Sequence, residues 1–119
     1  MAKIVEPLTV QQYQTADGKV PFTEWIDSLA DLETRAAIDS RVARLKQGNL
    51  GDFKKLKDAE GVIELRIDFG PGFRIYLGRA GNTLVVLLCG GDKRTQNRDI
   101  KDAVSYWKDY KERKAADEK

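Results

Sequence analysis

A chain of 119 residues can bury one hydrophobic core and is too short for two ordinary domains. Its 21 Lys and Arg against 19 Asp and Glu leave a net +2, so any argument from positive charge has to rest on local clusters. Histidine is absent and Cys89 is the lone cysteine, which excludes Ser-His-Asp, Cys-His and His-metal mechanisms, an internal disulfide framework and a multi-cysteine zinc site.

Residues 3–14 carry Ile4, Val5, Leu8, Val10 and Tyr13 and predict a strand, with Pro7 requiring an edge position or a bend because proline cannot donate to a ladder. After the turn TADGK, PFTEWIDSL spaces Phe22, Trp25, Ile26 and Leu29 along one face of a short helix, with Pro21 in its first turn. A second helix is expected from about Asp31 to Gln47, with Leu32, Ile38, Val42 and Leu45 inward and Arg35, Arg41 and Arg44 largely on other faces. GNLGD ends it.

Alternation then marks two strands. In VIELRIDF, Ile63, Leu65, Ile67 and Phe69 share one side and Glu64, Arg66 and Asp68 the other; in GFRIYLGR, Phe73, Ile75 and Leu77 oppose Arg74 and Tyr76. FGPG between them reads as a hairpin turn. TLVVLLC is apolar on both sides and predicts an interior strand whose end at Cys89 is a buried small hydrophobe. Gly90 and Gly91 are expected to turn the chain steeply off the sheet. From Thr95 on, Ile100, Ala103, Val104 and Trp107 form an apolar helical stripe, and the charged residues 111–119 are expected to fray. Phe22, Trp25 and Trp107 fall on apolar stripes and are assigned to the core.

The predicted order is β-α-α-β-β-β-α over one domain spanning 1–119, an α+β fold with helices packed on one face of a mostly antiparallel sheet. No apolar run approaches bilayer length, and no basic leader precedes an apolar segment, so a soluble, cytoplasmic protein is expected.

Register brings charge together. For Ile67 and Phe73 to face the core jointly, the simplest hairpin pairs Arg66 with Arg74 and Glu64 with Tyr76. Two guanidinium groups side by side are unfavourable by a few tenths to about 1 kcal/mol, so something offsets them. Glu64 and Asp68 can do so as a salt-bridge ladder. A bound phosphate can do so as well, because two strand-held arginines make a forked donor array, and a bulge at Gly70 or Gly72 would instead separate them. Lys54, Lys55 and Lys57 precede the hairpin, and Lys93, Arg94 and Arg98 follow the interior strand. Between Phe53 and Asp99 there are nine Lys or Arg and six Asp or Glu, an excess that matters only if these cations converge.

GVIELRIDFGPGFRIYL followed by VVLLCGGDKRTQNRDIKDA resembles the RelE/ParE toxin superfamily, specifically its HigB-like group, often called addiction module killer proteins. The resemblance spans about Phe22 to Tyr110. It implies a RelE-like fold with two N-terminal helices on one face and a C-terminal helix. It also implies a type II toxin neutralised by an antitoxin encoded beside it. Many members cleave messenger RNA in the ribosome, without metal or other cofactor, by attack of a 2′-hydroxyl on the adjacent phosphate.

Carried over by motif, Arg74 of GFR matches the family's strand arginine at the scissile phosphate, Arg66 of ELR falls near a basic residue of the preceding strand, and Lys93 or Arg94 of GGDKR corresponds to its late cation. Lys54, Lys55, Lys57, Arg98 and Tyr76 complete an RNA-binding surface in this reading. RelE-type enzymes place a tyrosine in the last segment, where this chain has Asp99 and Ile100. The proton acceptor is therefore open, with Glu64 either a general base or a structural partner of the arginines. Two other functions stand beside nuclease action: inhibition of DNA gyrase in the manner of ParE, and non-enzymatic RNA binding.

Overall fold

The computed structural model describes residues 7–118, in the order β1 (Thr9–Gln12), α1 (Pro21–Ser28), α2 (Leu32–Lys46), β2 (Phe53–Lys55), β3 (Ile63–Ile67), β4 (Phe73–Ala80), β5 (Leu84–Asp92) and α3 (Gln96–Asp117). The strands form one sheet ordered β1-β5-β4-β3-β2, in which β1 runs parallel to β5 and every other neighbouring pair is antiparallel. The class is α+β with a mostly antiparallel sheet, as the alternation indicates. The short edge strand β2 is an addition, and Ile4 and Val5 lie outside the described residues.

Local chemistry sets the helix ends. Pro21 occupies the first turn of α1, where its missing N–H costs nothing. Asp31 caps α2, accepting from the Glu33 amide at 3.2 Å and the Thr34 hydroxyl at 2.7 Å. Gly48, at φ +89°, closes the far end by donating to the Leu45 carbonyl.

Two apolar layers sandwich the sheet. On one side Phe22, Ile38 and Leu45 of the first two helices pack on Leu65, Ile75, Leu77 and Val85. On the other, Ala103 and Trp107 of α3 pack on Val62, Tyr76, Val86 and Leu88. The expectation of all helices on one face is corrected here: a stripe reveals that α3 is amphipathic and says nothing of which face it covers. Helix α3 runs to Asp117, through most of the segment expected to fray, and there Arg113 pairs with Asp109 at 2.8 Å and donates to the Gln14 carbonyl of the chain after β1.

Helix α2 departs from its expected inner face in two places. Leu32 is exposed, whereas Arg41 is buried and donates to the carbonyls of Leu50, Asp52 and Arg66, fastening the loop before β2 to the end of β3. Burial, with nearby Arg44, lowers the pKa of that guanidinium.

Gly90 and Gly91 do not turn the chain away; both remain in β5, where a side chain would collide with a helix. A Cβ on Gly90 would stand 2.1 Å from Cε3 of Trp25, and one on Gly91 1.8 Å from Oδ2 of Asp99. Gly78 of β4 likewise lets Trp107 lie flat on the sheet, its missing Cβ falling 2.4 Å from the indole. Between Tyr76↔Cys89 and Leu77↔Leu87 the ladder skips Leu88, a bulge that reverses which face each later residue of β5 meets.

Candidate anion-binding cleft

The hairpin register is the one alternation predicts: Arg66 pairs with Arg74 and Glu64 with Tyr76. Both guanidinium groups project toward the α3 side, past the region that α3 covers. Glu64, with no exposed surface, lies beneath them. One carboxylate oxygen accepts from Arg66 Nε at 3.2 Å and sits 3.7 Å from Arg74 Nε, and the other accepts from Gln96 Nε2 at 2.8 Å. A single buried carboxylate therefore answers two arginines, and one positive charge of the trio is left over.

The two arginines differ. Arg74 is buried, donates from Nη1 to the Phe73 carbonyl at 3.2 Å, and has a buried Nε with no hydrogen-bond partner among the described residues. Arg66 keeps 38% of its side chain exposed. Both reach a cleft of about 300 Å³, whose further lining includes Lys93, the turn Gly70-Pro71-Gly72, Asp52 and Asp68. Gly72, at φ +81°, serves the turn and the cleft together: a Cβ there would approach Lys93 Cε to 2.9 Å, so the bare backbone is the floor on which the lysine chain rests.

Lys93 arrives through the chemistry of Asp92. The Asp92 carboxylate accepts from the Arg94 amide at 2.8 Å, starting a 3-10 turn over Lys93–Thr95 that redirects the chain into α3. The same carboxylate holds the Arg94 guanidinium at 3.0 Å, and this pairing keeps Asp92 below the usual carboxylate range. Neighbouring residues thus separate, with Lys93 lining the cleft and Arg94 projecting into solvent outside its lining.

Of the residues expected at the site, Arg66, Arg74 and Lys93 converge. Arg98 is exposed beside Asp99 at 3.6 Å and lines no part of the cleft. Lys54, Lys55 and Lys57 are exposed on and after β2, outside it too; register puts Lys54 on the side of Glu64 and Lys55 on the opposite side. Tyr76 lies fully buried under α3 and offers no ring face for a base to stack on. Burial, reinforced by the Glu64 carboxylate, pushes its phenol pKa well up, and its hydroxyl has no hydrogen-bond partner among the described residues. Glu64 is an internal brace here, sealed from the cleft.

Asp52, Gln96 and Arg41 were not expected at or near the site. Arg41 carried a signal, because it falls on the apolar stripe of Ile38 and Leu45 at helical spacing. Asp52 and Gln96 carried none, since each depends on how a loop or a helix start docks against the hairpin. A second depression of about 460 Å³ shares Asp52, Arg66 and Asp68 with the cleft and continues to Ser40 and Arg44 of α2.

The arrangement suits an anion bound at a buried guanidinium and a part-exposed one, with Lys93 lining the same cleft. Among the described residues no cluster of three His, Cys, Asp or Glu is placed to hold a metal ion. No helix among them is long and apolar enough to cross a membrane.

No family model matches the chain. A Haemophilus influenzae protein described as uncharacterized is 50% identical to it over 82 residues, which is 69% of this chain and 81% of that protein.

Proposed function

This chain belongs to the same family as the Haemophilus influenzae protein, and we propose that it is a cytoplasmic RelE/ParE-type toxin of the HigB-like group, with a RelE-like fold, that cleaves ribosome-bound messenger RNA and is neutralised by an antitoxin encoded beside it. The observation that carries this reading is the meeting of Arg66, Arg74 and Lys93 in one cleft over a single shared carboxylate. The motifs quoted above and the long helix after a mostly antiparallel sheet support it further.

In the reaction, a ribose 2′-oxygen gives up its proton to a carboxylate and forms a bond to the adjacent phosphorus, while the bond from phosphorus to the 5′-oxygen breaks and that oxygen takes a proton from water, leaving a 2′,3′-cyclic phosphate and a 5′-hydroxyl. Charge accumulates on the phosphoryl oxygens. Arg74, fixed by burial, stabilises that charge without reorganising as it forms, and the exposed Lys93 adds a second cation at the cleft. Arg66 has the exposure to close over the phosphate. Asp52 and Asp68 line the cleft and are the carboxylates with access to the 2′-hydroxyl proton, a position that Glu64 lacks.

A second reading, inhibition of DNA gyrase by binding, is favoured by one observation: Asp52 and Asp68 lower the positive charge of the cleft to a level modest for gripping a nucleic-acid backbone. Induced expression without the antitoxin separates the two. Nuclease action gives growth arrest with messenger RNA cut at discrete sites, abolished by Arg74→Ala with the fold retained by circular dichroism. Intact messenger RNA with rising DNA-damage signalling moves the chain to the gyrase reading, and normal growth refutes both.

A further inference from the structure

Strand β2 closes one end of the sheet, and no strand among the described residues pairs with its outer edge. Arg66 N donates to Asp52 O at 2.9 Å and Leu56 N to Val62 O at 3.1 Å, on either side of the pairs Phe53↔Leu65, Lys54↔Glu64 and Lys55↔Ile63. Bonded and non-bonded pairs alternate in an antiparallel ladder. Lys54 therefore turns its amide and carbonyl inward, and Phe53 and Lys55 turn theirs away from the sheet.

The side chains at this edge are unusual for solvent. Phe53 is 43% exposed and, with Leu32, is one of two large apolar side chains so exposed among the described residues. It borders a depression of about 430 Å³ lined by Leu50, Gly61 and Ile63, with Lys55 and Arg79 as its cations. The depression opens past the C-terminal end of α2, on the side of the sheet opposite Arg66 and Arg74. Among the described residues Lys54, Lys55, Lys57 and Arg79 make no ion pair.

We propose that the β2 edge binds an extended, acidic segment of a partner protein, which adds a strand by pairing with Phe53 and Lys55. An apolar side chain of that segment enters the depression beside Phe53, and its flanking carboxylates meet Lys55 and Arg79. Charge complementarity selects this occupant over a second copy of the chain, because β2 paired with itself would bring its lysines together across the junction, a device that ordinarily keeps sheet edges apart. The proposal stands independently of the nuclease reading, since it uses other residues on another face.

The test titrates the isotope-labelled full chain with synthetic peptides in which glutamate alternates with leucine, valine or phenylalanine, and with counterparts carrying lysine for glutamate. Binding is expected for at least one acidic peptide and none of the basic ones, with the largest shifts and slowed hydrogen exchange at the Phe53 and Lys55 amides. Phe53→Ala should weaken binding about tenfold, and Lys55→Glu should abolish the preference for acidic peptides; both positions are exposed, so the variants keep the fold. The proposal is overturned if no acidic peptide shifts those amides, if the basic peptides bind as well, or if sedimentation shows free chains already paired through β2.

Discussion

Glu64→Gln tests whether one carboxylate holds the arginine pair. The substitution keeps the shape and removes the charge, and the new amide nitrogen forces either Arg66 Nε or Gln96 Nε2 to face another donor. Deleting one partner of a buried ion pair costs about 3–5 kcal/mol. Two facts lower that figure: Arg66 has 38% side-chain exposure and can rehydrate, and Arg74 Nε stands 3.7 Å away, beyond hydrogen-bond length. A loss of about 2 kcal/mol follows, equivalent to a fall in Tm of roughly 10 °C for a domain of this size.

The same change adds a net positive charge beneath the cleft. Inorganic phosphate should bind the variant about tenfold more tightly at low salt, and the difference should shrink as screening rises. Phosphate should then restore more of the lost Tm in Glu64→Gln than it adds to the parent chain. Thermal unfolding with and without phosphate, together with calorimetric titration, reads both effects. Parent-like stability and unchanged phosphate affinity would refute the argument, because Glu64 would then neither brace the arginines nor mute their charge.

Gly90→Ala should lower the urea midpoint by an amount equivalent to about 1–3 kcal/mol through collision with Trp25, whereas a glycine that merely turned the chain would tolerate alanine. Tyr13 donates to Asp109 at 2.6 Å, and burial and that carboxylate raise its phenol from 10.0 to about 12. The folded state therefore favours the protonated phenol, and this contribution is full below pH 10.0 and lost as pH climbs toward about 12. Tyr13→Phe should remove a pH slope of about 1.4 kcal/mol per unit in that window, measured by denaturant unfolding. Cys89 is buried and its thiol donates weakly to the Asp99 carbonyl at 3.6 Å; burial pushes its pKa far up, so iodoacetamide at neutral pH should modify it only as the chain unfolds.

The hairpin was readable because its signal is purely local. Period-two alternation on both sides of FGPG leaves one register that keeps Ile67 and Phe73 together, and that register aligns Arg66 with Arg74. What alternation cannot supply is the third dimension. The stripe of α3 was visible without the face it would cover, and Tyr76, correctly placed on the arginine side, is sealed by that helix. Strand β2 has three exposed residues and no burial pattern of its own, so it exists through backbone pairing to β3. Lys93 and Arg94 were equivalent in sequence and became distinct through a cap at Asp92. Gly90 and Gly91 carried the opposite lesson: glycine reads as a turn, yet here it marks where Trp25 and Asp99 come closest to the strand.

The unpaired Leu88 divides β5 into a stem and a tip of opposite parity. In the stem the odd-numbered Val85 and Leu87 serve the layer under α1 and α2, and in the tip that layer meets the even-numbered Gly90. Such a strand is intolerant of lost or gained length. Deleting one stem residue would either erase the bulge or roll the tip half a turn, turning Gly91 from Arg74 and swinging the chain after Asp92 toward the wrong layer. The number of residues in β5 is therefore held as firmly as the glycines at its tip.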